Sequence, residues 1–357
     1  MPRPSQLILL RRFAETLLYA AAGGAAFGLA GLPAGWLSGA ILLTAGAALA
    51  GRPVHVPNLF SRILFVVLGI SLGAAVTPDT VLRIATWPVS MFALALAMSC
   101  STLAIALYLQ RVHGWDIMSA LFAAAPGALS QALALAADAN ADLRSVAIVQ
   151  TVQVLVLAVG LPLIIAACGM AGAPPEPVPL PSLRESAGEL AVLMLLSTLA
   201  ALIAYRLRMP GGLIVGSMVM SGLLHGAGYV QINLPSGIVT ASFVGLGALI
   251  GSRFAGTDLA RMRALAGAAF GALAVGTTVA ALFAFAVAWL LSLSFADVLI
   301  AYAPGGLEAM TILAFALHLD PAFVGAHHLW RFFYVSVMMP VAVAYARAAA
   351  RMTGGEQ

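Results

Sequence analysis

The sequence predicts an all-α membrane protein that crosses the bilayer many times. We expect two inverted repeats of about five transmembrane helices, each with a broken or re-entrant Ala-Pro-Gly element. Three observations predict this fold. The composition is strongly apolar, the sequence is duplicated at a fixed spacing, and each copy has a proline–glycine pair in the middle of an apolar segment.

The composition requires most of the chain to lie in lipid. Hydrophobic residues make up 62% of the chain and charged residues 8%, whereas a soluble domain has about 25% charged residues. The net charge of +4 comes from arginines that lie one to three at a time in short loops. This pattern is typical of membrane topology, and we expect no nucleic-acid partner.

The chain contains two copies of one sequence. Ala-Pro-Gly-Ala-Leu at 125–129 reappears as Ala-Pro-Gly-Gly-Leu at 303–307, a spacing of 178 positions. Near the start of each copy the spacing is 177. We predict a first membrane repeat at 1–169, a proline-rich linker at 170–186 and a second membrane repeat at 187–357.

Each copy contains six apolar segments that predict helices. The fifth segment is different, because proline lacks an amide donor and glycine frees the backbone. We expect it to form two half-helices, either as a re-entrant hairpin or as one discontinuous crossing helix. The segments lie at 14–31, 34–50, 61–77, 87–109, 117–137 and 144–168 in the first copy, and at 188–205, 211–228, 237–254, 265–293, 297–317 and 322–346 in the second.

The loop arginines predict how the segments are oriented. If both Ala-Pro-Gly segments are hairpins and the N-terminus is cytoplasmic, fourteen arginines lie inside, and Arg83 and Arg184 lie outside. If all twelve segments cross, nine arginines lie inside and seven outside. Because basic residues concentrate on the cytoplasmic side, the hairpin topology is favoured. It has ten crossings, and both termini lie in the cytoplasm.

Polar side chains within the apolar segments are the candidates for a binding site, since burying them in hydrocarbon is costly. Glu308 and Thr311 follow the second Ala-Pro-Gly, and His327 and Arg331 share a face of the last segment. The duplication places neutral side chains at several equivalent positions of the first copy. The predicted substrate- or ion-binding residues are Pro126, Gly127, Ser130, Gln131, Gln150, Gln153, Pro304, Gly305, Gly306, Glu308, Thr311, His327, His328 and Arg331.

These residue types suggest several roles. Amides at the two breaks suit an anionic group and carbonyls suit Na⁺, Glu308 suits a coupling proton, and Arg331 suits a carboxylate or phosphate. As alternatives, Glu308 and Arg331 form a buried ion pair, or the histidines and glutamines only link helices. Four further residues are expected to act as caps or loop residues, namely Asp138, Asn140, Asp142 and Asp320.

The sequence shows no metal centre or catalytic motif. The two cysteines and six histidines have no metal-binding spacing, and no nucleophile–base motif is present. We therefore expect no cofactor and no enzyme activity.

Three duplicated motifs carry a resemblance to a known family. They are Pro-x-Gly-x-x-x-Gly at 33–39 and 210–216, Leu-Gly-x-x-x-Gly at 68–73 and 246–251, and the two Ala-Pro-Gly sequences. Over about residues 15–350 the chain resembles the AbrB-type bacterial membrane proteins. That family is usually labelled a transcriptional regulator or an ammonia monooxygenase. The chain shows neither a soluble DNA-binding domain nor a histidine cluster for copper.

The architecture also resembles elevator-type carriers, such as glutamate/sodium symporters and cation–proton antiporters. These resemblances imply a secondary transporter in the bacterial inner membrane, in contact with lipid. It would carry a small solute, with an anion as one option and Na⁺ or H⁺ as the coupling ion. Analogy with these carriers suggests a homodimer. The alternative is a membrane sensor that affects gene expression indirectly.

Overall fold

The structure is a computed structural model, and every element it describes is helical. It describes residues 4–76, 84–125, 136, 141–173 and 187–354. Within these ranges, side chains are described from residue 7 to residue 346. A short 3₁₀ helix at Ile84–Thr86 precedes α4. The α-helices are α1 (Pro4–Leu29), α2 (Gly35–Leu49), α3 (Asn58–Ala74), α4 (Trp87–His113), α5 (Ile117–Ala124), α6 (Leu143–Ala167), α7 (Ala187–Arg206), α8 (Gly212–Gly226), α9 (Ser236–Ser252), α10 (Leu259–Ala264), α11 (Ala266–Leu291), α12 (Phe295–Tyr302), α13 (Leu307–Ala316) and α14 (Pro321–Gly354).

Five described helices are long and apolar enough to cross a membrane. The prediction of an all-α protein with several membrane spans is therefore confirmed. The first predicted span lies in α1, which is not among the five because its charged residues and glycines lower its hydropathy. The five spans are Ile84–His113, Leu143–Ala167, Ala187–Arg206, Ala266–Leu291 and Pro321–Ala346.

Residues that are related by the sequence spacing also share backbone conformations. Ala34 and Gly211, 177 positions apart, precede α2 and α8 with φ values of 48° and 59°. Gly114 and Ser292, 178 positions apart, end α4 and α11 with φ values of 67° and 52°. These are left-handed conformations, which cost energy in residues other than glycine. The starts of α2 and α8, and the ends of α4 and α11, therefore share a left-handed conformation.

By their contacts, the helices form two compact units, and each takes segments from both copies. Unit 1 consists of Met1–Ala85, Ala158–Thr257 and Leu307–Gly325. Unit 2 consists of Thr86–Leu157, Asp258–Gly306 and Ala326–Gln357. The predicted boundaries at 169 and 187 concern the duplication and stay a prediction.

Glycines allow close helix packing across the two copies within unit 1. The third helix of each copy packs on the second helix of the other, so that α3 contacts α8 and α9 contacts α2. A Cβ atom on Gly73 of α3 would clash with the carbonyl of Met218. On Gly251 of α9 it would lie 2.6 Å from Cβ of Thr44. The Leu-Gly-x-x-x-Gly motif therefore serves backbone approach, as small residues do in lipid.

Unit 2 is organised around its long helices. Helix α4 packs against α11 and α5, and α11 also packs against α12. Two hydrogen bonds join α4 to α14. Ser99 Oγ lies 2.6 Å from the hydroxyl of Tyr334, and Trp330 Nε1 donates to the carbonyl of Met91 at 3.0 Å. These contacts hold α14 beside α4.

Candidate functional site

The structure assigns most of the described site residues to unit 2. Two others, Glu308 and Thr311, belong to unit 1. Four predicted site residues lie outside the described part of the chain, namely Pro126, Gly127, Ser130 and Gln131. The unit 2 residues are Gln150, Gln153, Pro304, Gly305, Gly306, His327, His328 and Arg331.

Residues 303–306 separate two short helices in the second copy. Helix α12 ends at Tyr302 and α13 begins at Leu307. The amide of Ala303 still donates to the carbonyl of Leu299 at 2.9 Å, and that of Gly305 donates to the carbonyl of Ala303 at 2.7 Å. Proline at 304 has no amide, so regular helix hydrogen bonding stops here. The end of α12 therefore leaves carbonyls that need other donors.

Arg331 supplies donors to these carbonyls. Its Nη2 donates to the carbonyl of Ala301 at 2.6 Å. Its Nη1 donates to the carbonyls of Ala303 at 2.6 Å and Gly305 at 3.3 Å. The side chain is 2% exposed. Since a helix C-terminus carries partial negative charge, the guanidinium caps α12 and also balances its dipole.

The end of α5 in the first copy is held in the same way. Gln150 Nε2 donates to the carbonyls of Phe122 at 2.7 Å and Ala125 at 3.2 Å. In the second copy His328 Nε2 lies 3.1 Å from the carbonyl of Ile300. Gln150 and His328 are 178 positions apart, and so are Phe122 and Ile300. Equivalent side chains therefore cap equivalent short helices.

Two of the buried side-chain donors without a hydrogen-bond partner among the described residues lie at equivalent positions of the two copies. These donors are Nε2 of Gln153 and Nε of Arg331. The two residues are equivalent by the 178 spacing, and they are 6% and 2% exposed. A buried donor left unpaired costs about 1–3 kcal/mol. Such positions favour a ligand that accepts hydrogen bonds.

A polar cluster that the sequence analysis missed surrounds His327. Nε2 of His327 lies 2.6 Å from Oγ of Ser90, and the hydroxyl of Tyr302 donates to the carbonyl of Ser90. The rings of Tyr302 and Trp87 both lie 6.4 Å from the imidazole, measured between ring centroids. The signal was Ser90 itself, a polar residue inside an apolar segment. Its contact with His327 spans 237 positions and is not visible in the sequence.

Glu308 and Thr311 lie on α13. Glu308 is half-buried in the first turn, where the helix N-terminus favours negative charge. Thr311 is buried, and its hydroxyl donates to the carbonyl of Leu307 at 2.7 Å. Its donor is therefore satisfied within its own helix. The alternative of a Glu308–Arg331 ion pair stays a prediction.

The predicted capping role is confirmed for two aspartates at equivalent positions. Asp142 Oδ1 accepts from the amides of Arg144 and Ser145 before α6. Asp320 Oδ1 accepts from the amides of Ala322 and Phe323 at the start of α14. The other two predicted cap or loop residues, Asp138 and Asn140, lie outside the described part of the chain.

Asp142 also forms an ion pair within unit 2. Its Oδ2 lies 2.7 Å from Nη2 of Arg261, and both side chains are more than a third exposed. Partial burial raises the pKa of Asp142, but hydrogen bonds from Ser145 and the charge of Arg261 outweigh it. The net effect is a pKa below the usual value for aspartate.

Within the described residues no group of three or more histidine, cysteine, aspartate or glutamate side chains is arranged to hold a metal ion.

The comparisons with known proteins place the chain in a family. No curated protein matches the chain. The sequence profile of the family described as Transition state regulatory protein AbrB matches residues 36–347. The predicted resemblance is thereby confirmed, and the chain belongs to the AbrB family.

Proposed function

We propose that the chain is a secondary transporter of a small solute in the bacterial inner membrane. The observation that carries the proposal is the end of α12, where irregular backbone at 303–306 meets the charged side chain of Arg331. Helix α12 has eight residues, so it is about 12 Å long. The hydrocarbon core is about 30 Å thick, so a helix of this length cannot cross it.

Irregular backbone within an apolar segment has few uses in a membrane protein. It is tolerated where it is buried in protein or lines a watery cavity. In secondary transporters, interrupted helices form substrate and ion sites in this way. The equivalent capping contacts of Gln150 and His328 support a second interrupted helix in the first copy.

The unpaired donors on Arg331 and Gln153 support an anionic solute. A carboxylate or phosphate accepts hydrogen bonds from donors of this kind and would balance the guanidinium charge. Glu308 is the candidate to carry a coupling proton, because a carboxylate in an apolar segment favours such a role.

The proposed topology is inverted. The two copies would face opposite sides of the membrane, with ten crossings, two re-entrant elements and both termini in the cytoplasm. The arginine distribution supports this arrangement. The carrier would work as a homodimer in lipid, with one part moving against the other to give alternating access.

The direct test is uptake into proteoliposomes that contain the purified protein. A panel of small carboxylates and phosphates would first be screened by thermal stabilisation, since a bound ligand raises the melting temperature. We expect a stabilising solute to be accumulated by wild type and not by Glu308→Gln. The control is Val337→Ala, which shortens an exposed side chain of α14. Equal uptake by wild type and Glu308→Gln would overturn the assignment of Glu308.

The family description favours a second candidate, a membrane sensor with a regulatory role. A sensor would bind a ligand without moving it and would need a protein partner to give an output. Stable capture of one such partner, together with ligand binding but no flux, would favour this alternative.

A further inference from the structure

The carbonyls at the end of α12 form a site suited to a cation. The oxygens of Ala301, Ala303 and Gly305 all lie within hydrogen-bond distance of a single guanidinium group. Ala301 lies in the last turn of α12, and Ala303 and Gly305 follow the end of that helix, where the dipole is negative. In transporters with interrupted helices, such carbonyls coordinate Na⁺.

Here these oxygens already hold a positive charge. Arg331 comes from α14 and places both terminal nitrogens of its guanidinium on the three carbonyls. Its side chain is 2% exposed, so water does not compete for these contacts. Because arginine stays protonated in proteins, the charge does not leave as an ion would.

We infer that Arg331 is a tethered cation that replaces a bound alkali ion at the second break. The three carbonyls form a site that suits a small monovalent cation, and the guanidinium of Arg331 occupies it. Na⁺ then has no place at these three carbonyls in the native protein.

The first copy has a different arrangement at the equivalent positions. Gln153 stands where Arg331 stands in the second copy, and it carries no charge. Gln150 donates to the carbonyls of Phe122 and Ala125, and the carbonyl of Phe122 also accepts from the amide of Ala125 at 3.4 Å. The tethered charge therefore belongs to the second copy and makes the two helix ends electrostatically unequal. If the proposed transport function holds, the coupling ion at the second break is a proton and not Na⁺.

The test removes the guanidinium group of Arg331 and adds free guanidinium to the purified protein. The variant is Arg331→Ala, and the probe is guanidinium chloride at low millimolar concentration, well below its denaturing range. We expect Arg331→Ala to melt at a lower temperature than wild type and to regain several degrees with guanidinium, because a ligand that binds the folded state stabilises it. Wild type should not gain, since its site is filled.

Two controls separate this effect from general salt effects. Arg263→Ala removes an exposed arginine from α10 and should show no gain with guanidinium. Choline chloride at the same ionic strength should not replace guanidinium, because its quaternary ammonium has no N–H donors. If Arg331→Ala is as stable as wild type, or gains no more from guanidinium than Arg263→Ala, the inference is wrong.

A second variant covers the case in which Arg331→Ala does not fold. Arg331→Lys keeps a positive charge but loses the planar fork. It should melt between wild type and Arg331→Met, a neutral side chain of similar shape. Equal melting temperatures for the lysine and methionine variants would show that the charge is not what the carbonyls require.

Flux measurements then test the coupling consequence separately. Uptake by wild type should change less than about twofold when external Na⁺ is replaced by choline. A rise in the melting temperature of wild type with Na⁺ that is lost in Arg331→Lys would show that Na⁺ binds at this break. That result would contradict the inference. Absence of flux for every solute would count against the transporter proposal and leave the stability results to decide the cation inference.

Discussion

Gln150 and His328 make the same contact in the two copies of the sequence. Each lies on the long helix after a short one, and each reaches the backbone carbonyl 28 residues before it, that of Phe122 or Ile300. The side chains differ in chemistry, but both present an N–H donor to a backbone carbonyl near the end of a short helix. The contact therefore gives a structural reason for polar residues at these positions of apolar helices.

Removal of either donor should destabilise the protein by a similar amount. We expect Gln150→Leu and His328→Leu each to lower the free energy of unfolding by about 0.5–2 kcal/mol, the range for polar contacts between membrane helices. The measurement is thermal unfolding of the purified variants, with Val337→Ala as the control. Leucine variants as stable as wild type would mean that water or another donor satisfies these carbonyls.

Alanine substitutions should distinguish glycines that are packed against a facing helix from a glycine that faces open space. Gly73→Ala and Gly251→Ala each place a methyl group against the facing helix, so both should lower the melting temperature. Gly46→Ala on α2 meets no atom within 4 Å. It should raise stability by about 0.5–1 kcal/mol, the usual gain when alanine replaces glycine in a helix. The opposite order of the three variants would contradict the packing of α3 on α8 and of α9 on α2.

The ion pair between Asp142 and Arg261 should give a stabilisation that depends on pH. The folded-state pKa of Asp142 lies below its usual value. Its contribution is therefore fully present above the ordinary aspartate pKa of about 3.9 and is lost as pH falls through the lower folded value. Because both side chains are more than a third exposed, we expect less than about 1 kcal/mol.

A double-mutant cycle measures this contribution directly. Asp142→Asn keeps the capping oxygen for α6 and removes the charge, and Arg261→Gln removes the cation. We expect a coupling energy at pH 7 that shrinks in high salt and disappears below the folded pKa. A coupling that is unchanged in high salt would show that the pair acts through packing.

The sequence predicted the helices that are defined by long apolar segments. The segment predicted at 265–293 is the helix Ala266–Leu291, and that predicted at 87–109 extends to His113. The extension is local, because α4 ends at Gly114 in a left-handed conformation. Composition and turn residues are properties of the chain itself, so they can be read without coordinates.

The contacts of the candidate site were harder to predict. Arg331 was singled out as a charge in an apolar segment, but its contacts are backbone carbonyls, which no side-chain pattern reveals. Ser90 and Tyr302 were missed because they are neutral and lie far from His327 in sequence. The capping role of Asp142 was predictable, since aspartate before a helix is a local signal.

The inverted arrangement of the two copies can be tested by labelling the ends of α4 and α11. The chain has two cysteines, so a background with Cys100→Ala and Cys168→Ala is simple to prepare. His113→Cys and Ser292→Cys are then introduced one at a time. Both positions are exposed in the structure.

An impermeant thiol reagent applied to right-side-out and inside-out membrane vesicles gives the result. If the copies are inverted, His113→Cys reacts only from the cytoplasmic side and Ser292→Cys only from the external side. If both cysteines react from the same side, the copies are parallel, and the proposed carrier architecture is wrong.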